Sequence, residues 1–249
     1  MSTSQQGATA RSGGVSSRVL LAIGLIAAVV YIISMWVKLP TVELITKGIP
    51  VLCLVVWLWT MPRDRFANLI MAGLVVSLVA DLVLQWDRAW FLPGLLIFLV
   101  AHLIYIAGFF GVVRRGSWLR LLPFAAWGLI AFLILNPYLG DLLLPVAVYI
   151  IAIVSMMWRA AALVGVQGRS RDFELAALLG AIAFGLSDTL LALNRFIWHD
   201  TLTFFNIDQA APFVSTLVII LYWLGQCGIA LSAGWEAKDR ARGVVKGSG

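Results

Sequence analysis

The sequence predicts an all-α, polytopic membrane protein: a single bundle of eight transmembrane helices with both termini cytoplasmic. Three observations carry this. First, 62% of the 249 residues are hydrophobic and 12% are charged, whereas a soluble domain is about half apolar and about a quarter charged. Mean hydropathy is +0.98. Second, the apolar residues gather into eight runs, each close to the ~20 residues that cross a bilayer as a helix. Third, the basic residues alternate between gaps in the pattern that sets membrane orientation.

The elements follow in chain order. Residues 1–18 form a flexible Ser/Gly-rich tail, 19–233 the transmembrane domain, and 234–249 a basic cytoplasmic tail. The runs are roughly 19–37, 41–60, 67–86, 90–113, 118–136, 141–163, 173–194 and 211–233. The first run is long and lacks a clear small-residue cleavage site after it, so it reads as a retained helix. Pro40, Pro62, Pro137 and Pro212 mark run boundaries. Pro50, Pro93, Pro123 and Pro145 fall in early turns, where a missing N–H costs least.

Placing the N-terminus inside puts fourteen of the eighteen Lys and Arg residues on inner segments. Lys38, Lys47, Arg88 and Arg195 are the outer ones. Eight helices return the C-terminus to the inner side, and the cell (inner) membrane is the expected location. The net charge of +6 belongs to this topology signal. No basic amphipathic helix or nucleic-acid motif accompanies it, so no nucleic-acid partner is expected. Cys53 and Cys227 lie within apolar runs and read as small buried hydrophobes, not as a disulfide or metal pair. Membrane lipids are the expected surroundings, and no obligate protein partner is evident.

Two residues stand out against this background. Asp81, in SLVADLVLQW, and Asp188, in FGLSDTLLALN, sit deep in the third and seventh runs. A carboxylate at the centre of a membrane helix costs roughly 2.5–3.5 kcal/mol on insertion scales. Both runs point outward, which places both side chains in the outer half of the bilayer at similar depth. Ser77, Asp81 and Gln85 recur at i, i+4 and i+8 and form one polar stripe. Asp188 and Arg195 share a face, so Arg195 could partner Asp188 or an anionic head group. His102 and Tyr105 lie mid-way along the fourth run, and Tyr222 and Gln226 mid-way along the eighth. Lys47 and Asn194 lie near the outer face.

Bland readings exist for most of these groups. Polar side chains in membrane helices commonly make interhelical hydrogen bonds worth about 0.6 kcal/mol. Lys47 and Arg195 could snorkel to the interface. The aspartates are too short to do so, and buried carboxyls must be neutralised or paired. Should they meet, one can stay protonated while the other is ionised, which supplies a general acid and a general base together. Other chemistries find less support. Two histidines are few for a His-rich zinc site. No GxSxG elbow or phosphate-binding Gly loop is present. No metal or cofactor is expected.

The ordered set of motifs resembles the YhhN family of lysoplasmalogenases over about residues 20–232. The residues that carry the likeness are Lys47-Gly-Ile-Pro50, Ser77-Leu-Val-Ala-Asp81, Phe98-Leu-Val-Ala-His102-Leu-Ile-Tyr105, Ser187-Asp188, Asn194-Arg195-Phe196 and Tyr222-Trp-Leu-Gly-Gln226. The family usually reads Lys-Pro where this chain has Lys47-Gly48, and Gly-His where it has Ala101-His102. The resemblance implies a lysophospholipid substrate and water as co-substrate. The vinyl ether bond of a lysoplasmalogen would be hydrolysed to a fatty aldehyde and glycerophosphoethanolamine or glycerophosphocholine. It also implies Asp81 and Asp188 as the catalytic pair. Lys47 or Arg195 would hold the phosphate. Ser77, His102, Tyr222 or Gln226 would orient the carboxyls or water, and Tyr105 and Asn194 complete the expected binding set. Two alternatives stay open from the residues alone: a proton-coupled transporter using the aspartates as a relay, and a lipid-binding or structural membrane protein.

Overall fold

The computed structural model describes residues 16–86, 88–198 and 210–241, and every regular element within them is helical. The helices are α1 (Ser17–Trp36), α2 (Pro40–Thr46), α3 (Ile49–Trp59), α4 (Arg65–Trp86), α5 (Phe91–Val112), α6 (Leu122–Leu135), α7 (Leu143–Ala161), α8 (Arg171–Leu193) and α9 (Ala210–Ala241). With α2 and α3 counted as one crossing, eight stretches are long and apolar enough to span a membrane. The eight-span, all-α reading of the sequence therefore holds.

Helix boundaries follow local chemistry. Ser170 caps α8 by accepting from the Phe173 amide at 3.3 Å, and Asp172 and Glu174 sit in the positive first turn. The α2–α3 crossing breaks at Lys47–Gly48 because Pro50 cannot donate to the Thr46 carbonyl. The Leu78 side chain packs into the space beside Gly48, where a Cβ would lie 2.5 Å from Leu78 Cδ1. At its far end α8 passes into a π turn, Asn194–Trp198. α9 continues through Ala241, past the end of the apolar run, and its Glu236 and Asp239 are buried. Glu236 pairs with Arg169, and Asp239 accepts from the Ser170 amide at 3.0 Å.

Packing is tightest between α8 and α9, then between α4 and α5. The first contact is backbone on backbone. A Cβ on Gly180 would lie 2.6 Å from the Ile229 nitrogen, and one on Gly228 would lie 2.7 Å from Gly180 Cα. Helices in lipid associate through such small residues because apolar surface alone gives little preference for protein over lipid. In the second contact, Gly73 of α4 leaves room for the Tyr105 ring, which a Cβ would meet at 2.2 Å.

α1 and α6 lie at the periphery. Their outward faces, with Leu21, Leu25 and Ile26 on one and Leu129, Ile130 and Leu133 on the other, are exposed as a lipid-facing surface is. At the centre, the fully buried Phe184 receives four rings edge-on. Their centroids lie at 4.7 Å for His102, 5.4 Å for Tyr222, 6.0 Å for Phe98 and 6.4 Å for Tyr105. Such pairs each add about 0.5–1.5 kcal/mol beyond burial.

Close approach at Gly180 makes a sharp prediction. Gly180→Val should destabilise the bundle by about 1–3 kcal/mol through overpacking, seen as a lower melting temperature in detergent. Gly111→Ala, whose Cβ would meet nothing within 4 Å, should be neutral or raise it.

Candidate active site

Asp81, late in α4, is 2% exposed. Tyr222 of α9 donates its hydroxyl to Oδ2 at 2.6 Å. Lys47 Nζ lies 3.7 Å from Oδ1. Lys47 belongs to the break between α2 and α3, which presents its side chain to Asp81.

Asp188, late in α8, is 8% exposed. Tyr149 of α7 donates to its Oδ2 at 2.8 Å. His102 Nε2 of α5 lies 3.4 Å from the same oxygen. The imidazole is fully buried, and its Nδ1 lies 2.7 Å from the Phe98 carbonyl one turn earlier.

Both carboxyls line one cavity of about 400 Å³. Its walls come from the late parts of α1, α4 and α8 and the early parts of α5 and α9, together with the α2–α3 break, so it occupies one end of the bundle. Asp81, Asp188, Tyr222 and Phe98 form a buried floor, while Glu43, Lys47, Gln85, Asn194 and Arg195 are half-buried. Gln85 donates to Glu43 Oε2 at 3.1 Å. The Arg195 guanidinium lies over the Phe91 ring at 5.2 Å. Asn194 and Arg195 both reach the cavity from the π turn that follows α8. No ion pair joins Arg195 to Asp188 among the described residues; Asp188 is met by Tyr149 and His102 instead.

A second, apolar cavity of about 40 Å³ adjoins the first between α5, α6, α7 and α8. Leu84, Phe91, Phe98, Asp188 and Leu191 line both.

Of the residues singled out in the sequence, Lys47, Asp81, Asp188, Asn194, Arg195 and Tyr222 line the main cavity. Ser77, His102, Tyr105 and Gln226 are fully buried beneath it. Tyr105 donates to Gln226 Oε1 at 2.7 Å, and the Ser77 hydroxyl lies 3.5 Å from the Tyr105 oxygen. His102 reaches the cavity through Asp188. The sequence reading missed Glu43 as a wall residue, although its place four residues before Lys47 was a visible i, i+4 signal. Tyr149, the hydroxyl partner of Asp188, is not among the residues singled out from the sequence, since a lone tyrosine in a span carries no pattern. Among the described residues no three His, Cys, Asp or Glu side chains gather as metal ligands would.

This arrangement can hold an amphiphile. Two cationic groups, Lys47 and Arg195, stand at the rim with Glu43, Gln85 and Asn194, two carboxyls with different partners form the floor, and apolar space continues past one of them.

Comparison with known proteins matches residues 42–233 to the model of the YhhN family. The chain is 35% identical to "Lysoplasmalogenase TMEM86B" of Homo sapiens, covering 76% of this chain and 74% of that one. It is 34% identical to "Lysoplasmalogenase TMEM86A" of Homo sapiens, covering 77% and 78%. A "Lysoplasmalogenase" of Mycobacterium bovis is 29% identical over 55% of this chain and 53% of its own. No solved structure matches.

The buried layer gives its own prediction. Tyr105→Phe keeps the ring but strands the Gln226 carbonyl, and should cost about 1–3 kcal/mol of stability, read as a drop in melting temperature in detergent.

Proposed function

The chain belongs to the YhhN family, and from that premise we propose that it is a multi-pass membrane hydrolase of lysoplasmalogens. It cleaves the vinyl ether bond to release a fatty aldehyde and a glycerophospho-head group. The observation that carries this reading is the opening of two buried carboxyls, from spans three and seven, onto one cavity.

The chemistry follows from the bond. A vinyl ether is inert to nucleophiles such as a serine hydroxyl but accepts a proton at its β-carbon. One carboxylic acid gives up its O–H, the alkene π pair forms the new C–H bond, and an oxocarbenium ion results. The other, as carboxylate, stabilises that cation and takes a proton from water as the water oxygen bonds to the cationic carbon. The hemiacetal then collapses. Its hydroxyl proton returns to the first carboxylate, the glycerol C–O bond breaks, and the second carboxyl protonates the departing oxygen. Both groups end as they began. A pair of carboxyls in unlike surroundings suits this division of labour.

Binding follows from the cavity's polarity. Lys47 and Arg195 at the rim hold the phosphate. The alkenyl chain lies against the apolar walls and reaches toward the smaller cavity beside Asp188. With the basic gaps inside, the cavity opens toward the outer face of the cell membrane, and the lipid enters from that side.

The test is aldehyde release from a lysoplasmalogen, followed by a coupled dehydrogenase on detergent-purified protein. Asp81→Asn and Asp188→Asn should each lower the rate at least about 100-fold while both variants keep the wild-type elution profile. Full activity in either would overturn the paired-carboxyl mechanism. Arg195→Ala should raise KM about tenfold or more with kcat little changed, as expected for loss of one charge-assisted contact made equally in ground and transition states.

A further inference from the structure

The two carboxyls sit in different proton environments, and we propose that this difference assigns their roles. The Asp188–His102 pair holds the proton delivered to the vinyl ether, and Asp81 is the carboxylate that receives the proton of water. The assignment rests on the lysoplasmalogen reading above. His102 never touches the lipid; it is a positioning residue acting through Asp188.

The proton count at Asp188 comes from hydrogen-bond roles. A backbone carbonyl can only accept, so the Phe98 oxygen, 2.7 Å away, fixes the hydrogen of neutral imidazole on Nδ1. Nε2 then faces Asp188 Oδ2 at 3.4 Å and has no hydrogen-bond partner elsewhere among the described residues. Without a further proton, an imidazole lone pair would oppose a carboxylate lone pair in a fully buried site. With one, the contact is either O–H facing N or N–H⁺ facing O⁻. Both forms store one proton between the same two atoms. Tyr149 does not supply it, because its hydroxyl hydrogen is engaged in its own bond to Oδ2 at 2.8 Å. Phe184 and Tyr149 clamp the ring edge-on at centroid distances of 4.7 and 5.2 Å, so Nε2 stays aimed at the carboxyl.

Asp81 meets the opposite situation. Its two oxygens face a phenol hydroxyl at 2.6 Å and the Lys47 ammonium at 3.7 Å. Both groups have hydrogens to give, and the ammonium has no lone pair to receive one. A carboxylate satisfies them; a carboxylic acid would turn a hydrogen toward donors. In the reaction, the proton shared by Asp188 and His102 goes to the β-carbon through the Asp188 oxygen, Asp81 takes a hydrogen from water, and hemiacetal collapse reverses both transfers: the hydroxyl proton returns to the Asp188–His102 pair and Asp81 protonates the departing glycerol oxygen.

Two readouts test this. The first uses ¹⁵N-histidine in a His199→Gln background, which leaves a single imidazole. Its Nε2 signal should report a protonated or strongly hydrogen-bonded nitrogen in this parent and in Asp81→Asn. In Asp188→Asn it should move to the position of a neutral acceptor nitrogen. An Nε2 signal that ignores Asp188→Asn overturns the shared proton. The second follows loss of the vinyl ether itself. In Asp81→Asn, the oxocarbenium ion still forms, more slowly without the carboxylate that stabilises it, and the lipid's free sn-2 hydroxyl closes on it, giving its proton back to the Asp188 carboxylate. Vinyl ether should therefore disappear as cyclic acetal, with little aldehyde. Asp188→Asn should consume none, and His102→Asn should lower kcat at least about tenfold with KM kept. The reverse pattern, or an inert Asp81→Asn beside an active parent, overturns the assignment. A parent inert on every vinyl ether lipid instead removes the proposed substrate, while the imidazole spectrum still decides where the proton sits.

Discussion

The structure depends on one constraint: two carboxyls buried within membrane-spanning helices must be satisfied by the protein. Each receives a phenol hydroxyl and one basic group, Tyr222 and Lys47 for Asp81, Tyr149 and His102 for Asp188. No two of these four partners come from the same helix or break. Satisfying Asp81 therefore ties α4 to α9 and to the α2–α3 break, and satisfying Asp188 ties α8 to α5 and α7. In lipid, where apolar contact drives association weakly, such ties help set which helices are neighbours.

The ties hold only if the helices come close. Backbone contact at Gly180, Gly225 and Gly228 draws α9 against α8, which brings Tyr222 within reach of Asp81. Gly73 does the same for the Tyr105 ring, and Tyr105 then locks Gln226 from α9. Phe184 sits where these lines cross and meets four rings edge-on. A small residue and a large aromatic thus alternate through the core, the pattern that fills space without voids. Rigidity of the floor follows from this packing, and the floor is where the carboxyls need fixed orientation.

Much of this was legible in the sequence, for physical reasons that can be named. Span length is dictated by bilayer thickness, so eight runs gave eight spans. Asp81 and Asp188 were visible because hydrocarbon makes a carboxylate expensive wherever it points. The break at Lys47–Gly48 was half-visible: Pro50 marked an early turn, but the run looked continuous because both pieces are apolar. The partition of polar residues into wall and under-layer was not legible. Ser77 and Asp81 share a stripe, and Tyr222 and Gln226 share another. Yet one member of each pair faces the cavity and the other lies beneath it. Depth along a span, not helical face, separates them, and depth within a cavity is set by neighbouring helices. Glu43 was passed over because a charged residue near a run's end usually means only an interface.

In the proposed reaction, the asymmetry between the two carboxyls is what turns a buried pair into a directional device. Two aspartates with identical surroundings would exchange roles freely and hold one proton in either place. Here Asp81 lies beside the rim cation Lys47, whereas Asp188 lies beside the smaller apolar cavity, with His102 and Tyr149 behind it. A lysoplasmalogen falls in polarity in the order the cavity does: phosphate, then glycerol, then vinyl ether, then chain. In the proposed reaction the phosphate lies at Lys47 and Arg195, the chain leaves past Asp188, and the β-carbon, being on the chain side of the ether oxygen, is carried toward that carboxyl. The carbon bonded to oxygen is then the one left nearer Asp81, where water must add. Cavity polarity and proton placement thus favour the same orientation of the lipid, although they arise from different residues.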